Sequence, residues 1–195
     1  IFDDPTRYSG IECLLAVYGY AMVIYCDFSG YSDMAIGMAQ WMGFKIPMNF
    51  NLPYQSSSIT EFWRRCHISL SSWLKDYLYV SLGGNRRGKV MQYINLMLTM
   101  LLGGLWHGAN LKFVVWGGMH GIALALDKIL KELRSKINGQ SAKVPLVNSN
   151  IGLINVVWKV AGVIVTFHFV CFCWIYFRAD SFEEANIIIP QIVQN

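Results

Sequence analysis

Four histidines are the side chains of this 195-residue sequence best suited to proton transfer near neutral pH. His107 and His120 each lie in a Gly-x-x-His-Gly unit of GGLWHGANLKFVVWGGMHG, residues 103–121, a stretch rich in glycine, tryptophan and aliphatic residues. Ionisable side chains in apolar surroundings are costly and tend to mark sites or pathways. Alternatively, such a histidine forms a hydrogen bond between helices that small residues allow to pack closely. Both roles remain open for His107 and His120.

His67 raises the same question in FWRRCHISLS, because it follows Trp63 by four residues and precedes Leu70 by three. That spacing places it on the apolar face of a helix. It is either a core histidine bonded to a neighbouring helix or an imidazole that handles a proton or orients a substrate. His168, in TFHFVCFCW, has the least support of the four.

Several catalytic motifs are absent from the sequence, which reduces the number of possible reaction types. No H-E-x-x-H or C-x-x-C pattern occurs, so we expect no metal site. A serine nucleophile elbow, G-x-S-x-G, and a phosphate-binding loop, G-x-x-x-x-G-K-[ST], are also absent. The remaining enzymatic option is direct transfer. A histidine takes the proton from an acceptor hydroxyl while that oxygen attacks an activated acyl carbonyl.

The composition favours a membrane protein. Hydrophobic residues make up 54% of the chain and charged residues 14%, with a mean hydropathy of +0.37. No charged residue occurs in 90–111, 113–126 or 160–177, and the first and third of these stretches are long enough to cross a bilayer as helices. The net charge of +4 is too small to indicate a nucleic-acid partner.

The cations lie in two blocks, which are Arg64, Arg65, Lys75, Arg86, Arg87 and Lys89, and then Lys128, Lys131, Arg134, Lys136 and Lys143. Lys- and Arg-rich loops tend to stay in the cytoplasm. If both blocks stay in the cytoplasm, residues 90–127 must enter the membrane and return to the same side. We therefore predict a hairpin or a re-entrant excursion that contains His107 and His120.

An amphipathic helix is predicted over residues 59–80. Ser58 and Glu61 form an S-x-x-E capping box at its start. Its apolar residues recur at helical spacing: Ile59, Phe62, Trp63, Cys66, Leu70, Trp73, Leu74, Tyr77 and Leu78. A basic, aromatic-rich helix of this kind suits the bilayer interface.

Several long blocks together resemble one family. FSGYSDMAIGMAQWMGF, NFNLPYQSSSITEFWRRCHISLSSWLKDYLYVSLGGNRRG, LLGGLWHGANLKFVVWGGMHG and FRADSFEEA are similar to the membrane-bound O-acyltransferases, in particular to their bacterial alginate O-acetylation branch. The resemblance implies an all-α, polytopic membrane helical bundle that includes the amphipathic interfacial helix. It also identifies residues 1–195 as a single C-terminal portion of such a transmembrane domain, lacking its early helices.

The resemblance assigns roles by position. Trp-His-Gly at 106–108 matches the family's signature, which makes His107 the catalytic base. His67 matches a second polar position that orients or polarises substrate, and His120 and Trp106 are expected to support the site. In the branch a Trp commonly precedes the second histidine. Cys66 stands there in this chain, and it could loosen the packing that orients His67.

The function that the resemblance implies is O-acetylation of an extracytoplasmic polysaccharide such as alginate. The acetyl group would come from a cytoplasmic thioester, acetyl-CoA, with no bound cofactor. An SGNH-hydrolase-like acetyltransferase is the expected partner, and the expected location is the bacterial inner membrane, crossed several times. Arg86, Arg87 and Lys89 either attract the donor's phosphates or anchor the loop to anionic lipid.

Other functions remain open. D-alanyl transfer toward teichoic acid and peptidoglycan acetylation belong to the same family. A transporter or proton channel could also use buried histidines, but it would distribute ionisable residues along a route. Residues 90–126 hold only Lys112 and two histidines. A purely structural membrane subunit is the third possibility.

Overall fold

The computed structural model of the chain describes residues 2, 4–137 and 153–194, and this part contains helices and loops but no strand. Its α-helices are α1 (Gly10–Trp41), α2 (Ile59–Arg65), α3 (Ile68–Trp73), α4 (Lys89–Trp106), α5 (Leu111–Ile137), α6 (Leu153–Arg178) and α7 (Phe182–Gln194). A π-helical segment, Leu74–Tyr79, continues α3, and short 3-10 helices occupy Pro5–Arg7 and Pro53–Gln55. The all-α prediction is confirmed. Lys143 lies outside the described residues.

Three of the described helices, α1, α5 and α6, are long and apolar enough to cross a membrane. The charge-free stretch 160–177 lies in α6, as predicted. The stretch 90–111 does not form such a helix. It belongs to α4, which ends at Trp106 and whose first turns are polar because they contain Lys89, Gln92 and Asn95.

Helix α1 is continuous over 32 residues and is the longest of the described helices. A capping box begins the helix. The Ser9 N–H donates to Glu12 Oε2 at 2.8 Å, and the Glu12 N–H donates to Ser9 Oγ at 3.4 Å. At about 1.5 Å per residue the helix is about 48 Å long, which exceeds the roughly 30 Å of a bilayer's hydrocarbon core.

The predicted continuous helix over 59–80 is wrong, because the chain breaks between α2 and α3 at Cys66 and His67. Backbone bonds from an earlier loop replace the helical ones. The Asn51 N–H donates to Arg65 O at 2.9 Å, and the Ile68 N–H donates to Asn49 O at 3.0 Å. The segments before and after the break pack against different helices. Helix α2 contacts α5, and the π-helical segment contacts α4. The helix begins at Ile59 as predicted, and the Glu61 N–H donates to Ser58 Oγ at 3.3 Å. The predicted capping box is only half formed, because the Glu61 carboxylate accepts from the Ser57 N–H at 2.8 Å instead of from the Ser58 N–H.

Helices α4 and α5 form the predicted hairpin, joined by the short turn 107–110. At its open end Lys89 Nζ lies 2.6 Å from Glu132 Oε2, so the start of α4 adjoins the end of α5. Lys89 of the first basic block therefore lies beside the part of α5 that carries the described cations of the second block. A Cβ added to Gly104 would lie 2.2 Å from Phe113 O, and one added to Gly117 would lie 2.3 Å from Met100 O. The two backbones pack together without side chains between them.

The core lies where α6 meets α1, α2, α5 and α7. Its most buried members include Val170 and Cys173 of α6, Ala21 of α1 and Phe62 of α2. This packing fixes α2, and with it the helix break, against the hairpin.

Candidate functional site

His107 lies in the turn at the closed end of the hairpin. Its N–H donates to Gly104 O at 3.0 Å and so ends α4. The half-buried ring is enclosed by aromatic side chains, with centroid distances of 5.0 Å to Trp106, 5.3 Å to Trp116 and 5.0 Å to Phe177. The 18 residues of α4 place this ring about 27 Å from the open, cationic end.

His67 occupies the break between α2 and α3 in a left-handed backbone conformation, φ 46° and ψ 54°. A residue with a side chain adopts this conformation only where its surroundings impose it. Here Asn49 does so, because its Oδ1 accepts from the Ser69 N–H at 3.1 Å and from the Ser69 hydroxyl at 2.6 Å. The imidazole packs edge-on against Phe28 at 4.6 Å. Cys66, which precedes it in the chain, is buried.

The structure brings His67 and His107 close enough for their charges to interact. Burial, with a smaller contribution from the charge of His107, lowers the pKa of His67 to about 4. Burial also lowers the pKa of His107. Nδ1 of His67 is buried and makes no hydrogen bond within the described chain. Both imidazoles are therefore neutral at pH 7 and able to accept a proton.

His120 is fully buried on α5. Its Nδ1 lies 3.3 Å from Nε1 of Trp63, which donates to it. Its ring does not adjoin that of His107 directly. The Trp116 ring lies between them, with its centroid 4.9 Å from His120 and 5.3 Å from His107. His168 lies elsewhere, on an exposed part of α6, where its Nδ1 is 2.8 Å from Ile164 O.

A cavity of about 450 Å³ opens beside Trp63. Trp63 belongs to an aromatic cluster with Trp116, His120 and His107. Four cationic side chains from α2, the π-helical segment and α5 line the cavity, namely Arg64, Lys75, Lys128 and Lys131. Its apolar wall contains Trp63, Leu74, Leu96, Met100 and Leu124. Lys131 also bonds Asp127 Oδ2 at 2.8 Å. The cavity thus combines positive charge with an apolar surface.

The other predicted cations lie off this cavity. Arg86, Arg87 and Lys89 are exposed, and Lys89 is paired with Glu132. Trp106 is 64% exposed although its ring adjoins His107. Sequence reasoning did not identify Trp63 and Trp116 as neighbours of the histidines. Spacing along one helix cannot show which rings meet across helices.

Comparisons with known proteins identify the family of the chain. The sequence model of the family described as MBOAT, membrane-bound O-acyltransferase family, matches residues 3–170. The probable alginate O-acetylase AlgI of Pseudomonas syringae pv. tomato is 48% identical over 176 residues, 90% of this chain and 30% of that protein. The peptidoglycan O-acetyltransferase of Helicobacter pylori is 39% identical over 192 residues, 98% of this chain and 33% of that protein.

A more distant relative is the teichoic acid D-alanyltransferase of Bacillus subtilis, 30% identical over 178 residues, 88% of this chain and 42% of that protein. The chain thus spans about 30% of the length of the alginate O-acetylase that it matches. The family match covers both loops that carry the paired histidines and most of the described helices. The chain belongs to the membrane-bound O-acyltransferase family.

Proposed function

We propose that the full-length protein transfers an acetyl group from a cytoplasmic thioester, acetyl-CoA, to hydroxyls of an extracytoplasmic polysaccharide such as alginate. It would do so as a multi-pass protein of a bacterial inner membrane, with an SGNH-hydrolase-like acetyltransferase as pathway partner. The observation that carries this proposal is the neutral His107 in an aromatic enclosure, paired with His67. The similarity to probable alginate O-acetylases favours this acceptor.

In the proposed reaction His107 acts as general base. Its imidazole takes the proton of the acceptor hydroxyl as that oxygen bonds to the acyl carbon. The carbonyl oxygen gains negative charge, and the tetrahedral intermediate then collapses and expels the thiolate, which receives the proton from His107. His67, held by the Asn49 contacts, orients the acceptor or polarises it. Such proton transfer typically contributes about 10²–10⁴ in rate.

The cavity is the donor site in this proposal. Arg64, Lys75, Lys128 and Lys131 suit the phosphates of CoA, and the apolar wall suits its uncharged arm. The cavity lies on the cationic side of the hairpin, which the positive-inside tendency places in the cytoplasm. Trp63 forms part of its wall and contacts Trp116 at 5.8 Å, so two indoles stand between the cavity and His107.

Neutralising the cavity should weaken donor binding without slowing the chemical step. The double variant Arg64→Gln, Lys128→Gln in the full-length protein is expected to raise KM for acetyl-CoA about tenfold, the loss of roughly 1.4 kcal/mol of phosphate attraction, with kcat unchanged. Initial rates of labelled acetyl transfer measure both constants. Arg86→Gln, Arg87→Gln removes the same charge outside the cavity and should leave KM within about twofold. A larger increase in that control would place the donor on the loop instead.

The pH dependence follows from the lowered pKa of His107. A general base works when unprotonated, so activity is expected above its pKa and is lost as the pH falls through it. Because burial lowers this pKa below the usual value of about 6.5, the acidic limb of kcat/KM should lie below pH 6.5. The variant His67→Gln should show the acidic limb at the same pH, with a lower kcat/KM at every pH. A limb above pH 6.5, or one that disappears in His67→Gln, would contradict the assignment.

D-alanyl transfer is a second candidate, favoured by the similarity to teichoic acid D-alanyltransferases. Peptidoglycan acetylation is a third, favoured by the similarity to the peptidoglycan O-acetyltransferase of Helicobacter pylori. The same base and the same thioester chemistry would serve all three. Chemical analysis of the exported polymers from cells with and without the full-length gene distinguishes them, because only the true acceptor loses its ester groups.

A further inference from the structure

Trp63 determines which nitrogen of His120 carries a proton. The indole Nε1–H donates to His120 Nδ1 at 3.3 Å, and an indole nitrogen has no acceptor capacity. Nδ1 must therefore keep its lone pair free, and the neutral ring carries its hydrogen on Nε2. The Nε2 atom of His120 is thus a hydrogen-bond donor whose orientation is fixed by α2.

This donor has no acceptor within residues 2, 4–137 and 153–194, although His120 is 0% exposed. The adjacent Trp116 also has a buried donor without an acceptor in the described part of the chain, the Nε1–H of a residue only 3% exposed. Buried donors in native proteins are nearly always hydrogen-bonded. Two unpartnered N–H groups on rings whose centroids are 4.9 Å apart indicate that an acceptor from outside the described residues belongs beside them.

The position of the two rings indicates which atom that is. Trp116 adjoins the base, with its centroid 5.3 Å from His107. Trp63, which holds His120, lies on the wall of the cationic cavity. The two rings therefore link Trp63 of the cavity wall to the proposed base, across the interval that separates the proposed donor site from His107.

We propose that His120 Nε2–H and Trp116 Nε1–H donate hydrogen bonds to the carbonyl oxygen of the acyl group during transfer, an inference that rests on the proposed function. This oxygen gains the negative charge when the acceptor oxygen bonds to the acyl carbon. Both donors are neutral and fixed, so they stabilise that charge without needing to reorganise. When the thiolate leaves, the carbonyl re-forms and the charge on its oxygen is lost. Trp63 is a positioning residue that acts through the tautomer of His120.

The test uses full-length protein and labelled acetyl-CoA. His120→Phe and Trp116→Phe keep an aromatic ring but remove the N–H, and each should lower kcat about 10²-fold, the usual effect of losing one such donor. KM for acetyl-CoA should stay within about twofold in both, because the phosphate-binding cations are intact. Trp63→Phe should lower kcat less, since His120 then retains a donor that is no longer held in one tautomer. His168→Phe and Trp158→Phe, at exposed positions, are the matched controls and should retain the wild-type rate.

His120→Gln distinguishes a donor from a packing residue. Its carboxamide N–H reaches approximately the place of Nε2, so it should recover at least tenfold of the kcat lost in His120→Phe. Equal kcat in His120→Gln and His120→Phe, or kcat within threefold of wild type in Trp116→Phe, would overturn the inference. If His120→Phe does not fold, the Trp116→Phe and His120→Gln results decide it. A different result would contradict the proposed function itself, namely acetyl transfer that persists in the His107→Ala variant.

Discussion

Cells whose full-length protein carries His107→Ala should export polysaccharide without detectable O-acetyl groups. The second imidazole near the site, that of His67, is the weaker base, because its pKa is lowered to about 4. Loss of a general base typically costs about 10²–10⁴ in rate, which lowers acetylation below detection. Acetyl content of the exported polymer, measured after alkaline release, gives the result.

The matched control is His168→Ala on α6, whose imidazole is exposed and lies outside the aromatic cluster. It should support wild-type acetylation. Membrane content of the His107→Ala protein should also equal that of the wild type, because the half-buried ring contributes less packing than a core residue. Acetylation near the wild-type level with His107→Ala would show that this histidine is not the base.

Gly117→Ala should strongly destabilise the α4–α5 hairpin, and this is the second large effect that we expect. The added Cβ would lie 2.3 Å from Met100 O, and the backbone of Gly104 faces the same point from α4. Backbone cannot move aside as a flexible side chain does, so the two helices must separate. Overpacking typically costs about 1–3 kcal/mol, and more is expected where helix backbones must part. Thermal unfolding of the full-length protein in detergent measures the loss.

Gly118→Ala is a closely matched control, since it makes the same change one residue further along α5. Its Cβ would lie 3.6 Å from Leu101 Cδ2, an ordinary contact. We expect an unchanged or slightly higher melting temperature, because alanine favours a helix more than glycine does. Equal melting temperatures for Gly117→Ala and wild type would mean that α4 and α5 do not pack backbone to backbone.

Sequence patterns predicted the parts of the fold that follow from local rules. Cation placement predicted the hairpin, and the structure confirms it through the Lys89–Glu132 pair. Glycine spacing predicted close helix packing, which occurs between Gly104 and Gly117. Gly108, the last residue of the first Gly-x-x-His-Gly unit, lies in the turn, at φ 154°. A hydrophobic period identifies the face of a helix, but it does not identify the residue of another helix that meets it.

The helix break at His67 was beyond prediction because its cause is tertiary. CHIS contains no glycine or proline, and its apolar spacing continues through the break. The backbone turns there because Asn49, 18 residues earlier, bonds the residues that follow His67. The cationic cavity was missed for the same reason, since Arg64 and Lys128 come from separate basic blocks that only the fold unites.

Inverted membrane vesicles from polysaccharide-producing cells allow the central claim to be measured directly. Labelled acetyl-CoA added outside reaches the cytoplasmic face, and the polysaccharide lies in the lumen. With the wild-type full-length protein, label should appear in lumenal O-acetyl esters, and with His107→Ala the label should remain in the donor. Equal labelling of the polysaccharide by both proteins would contradict acetyl transfer that depends on His107.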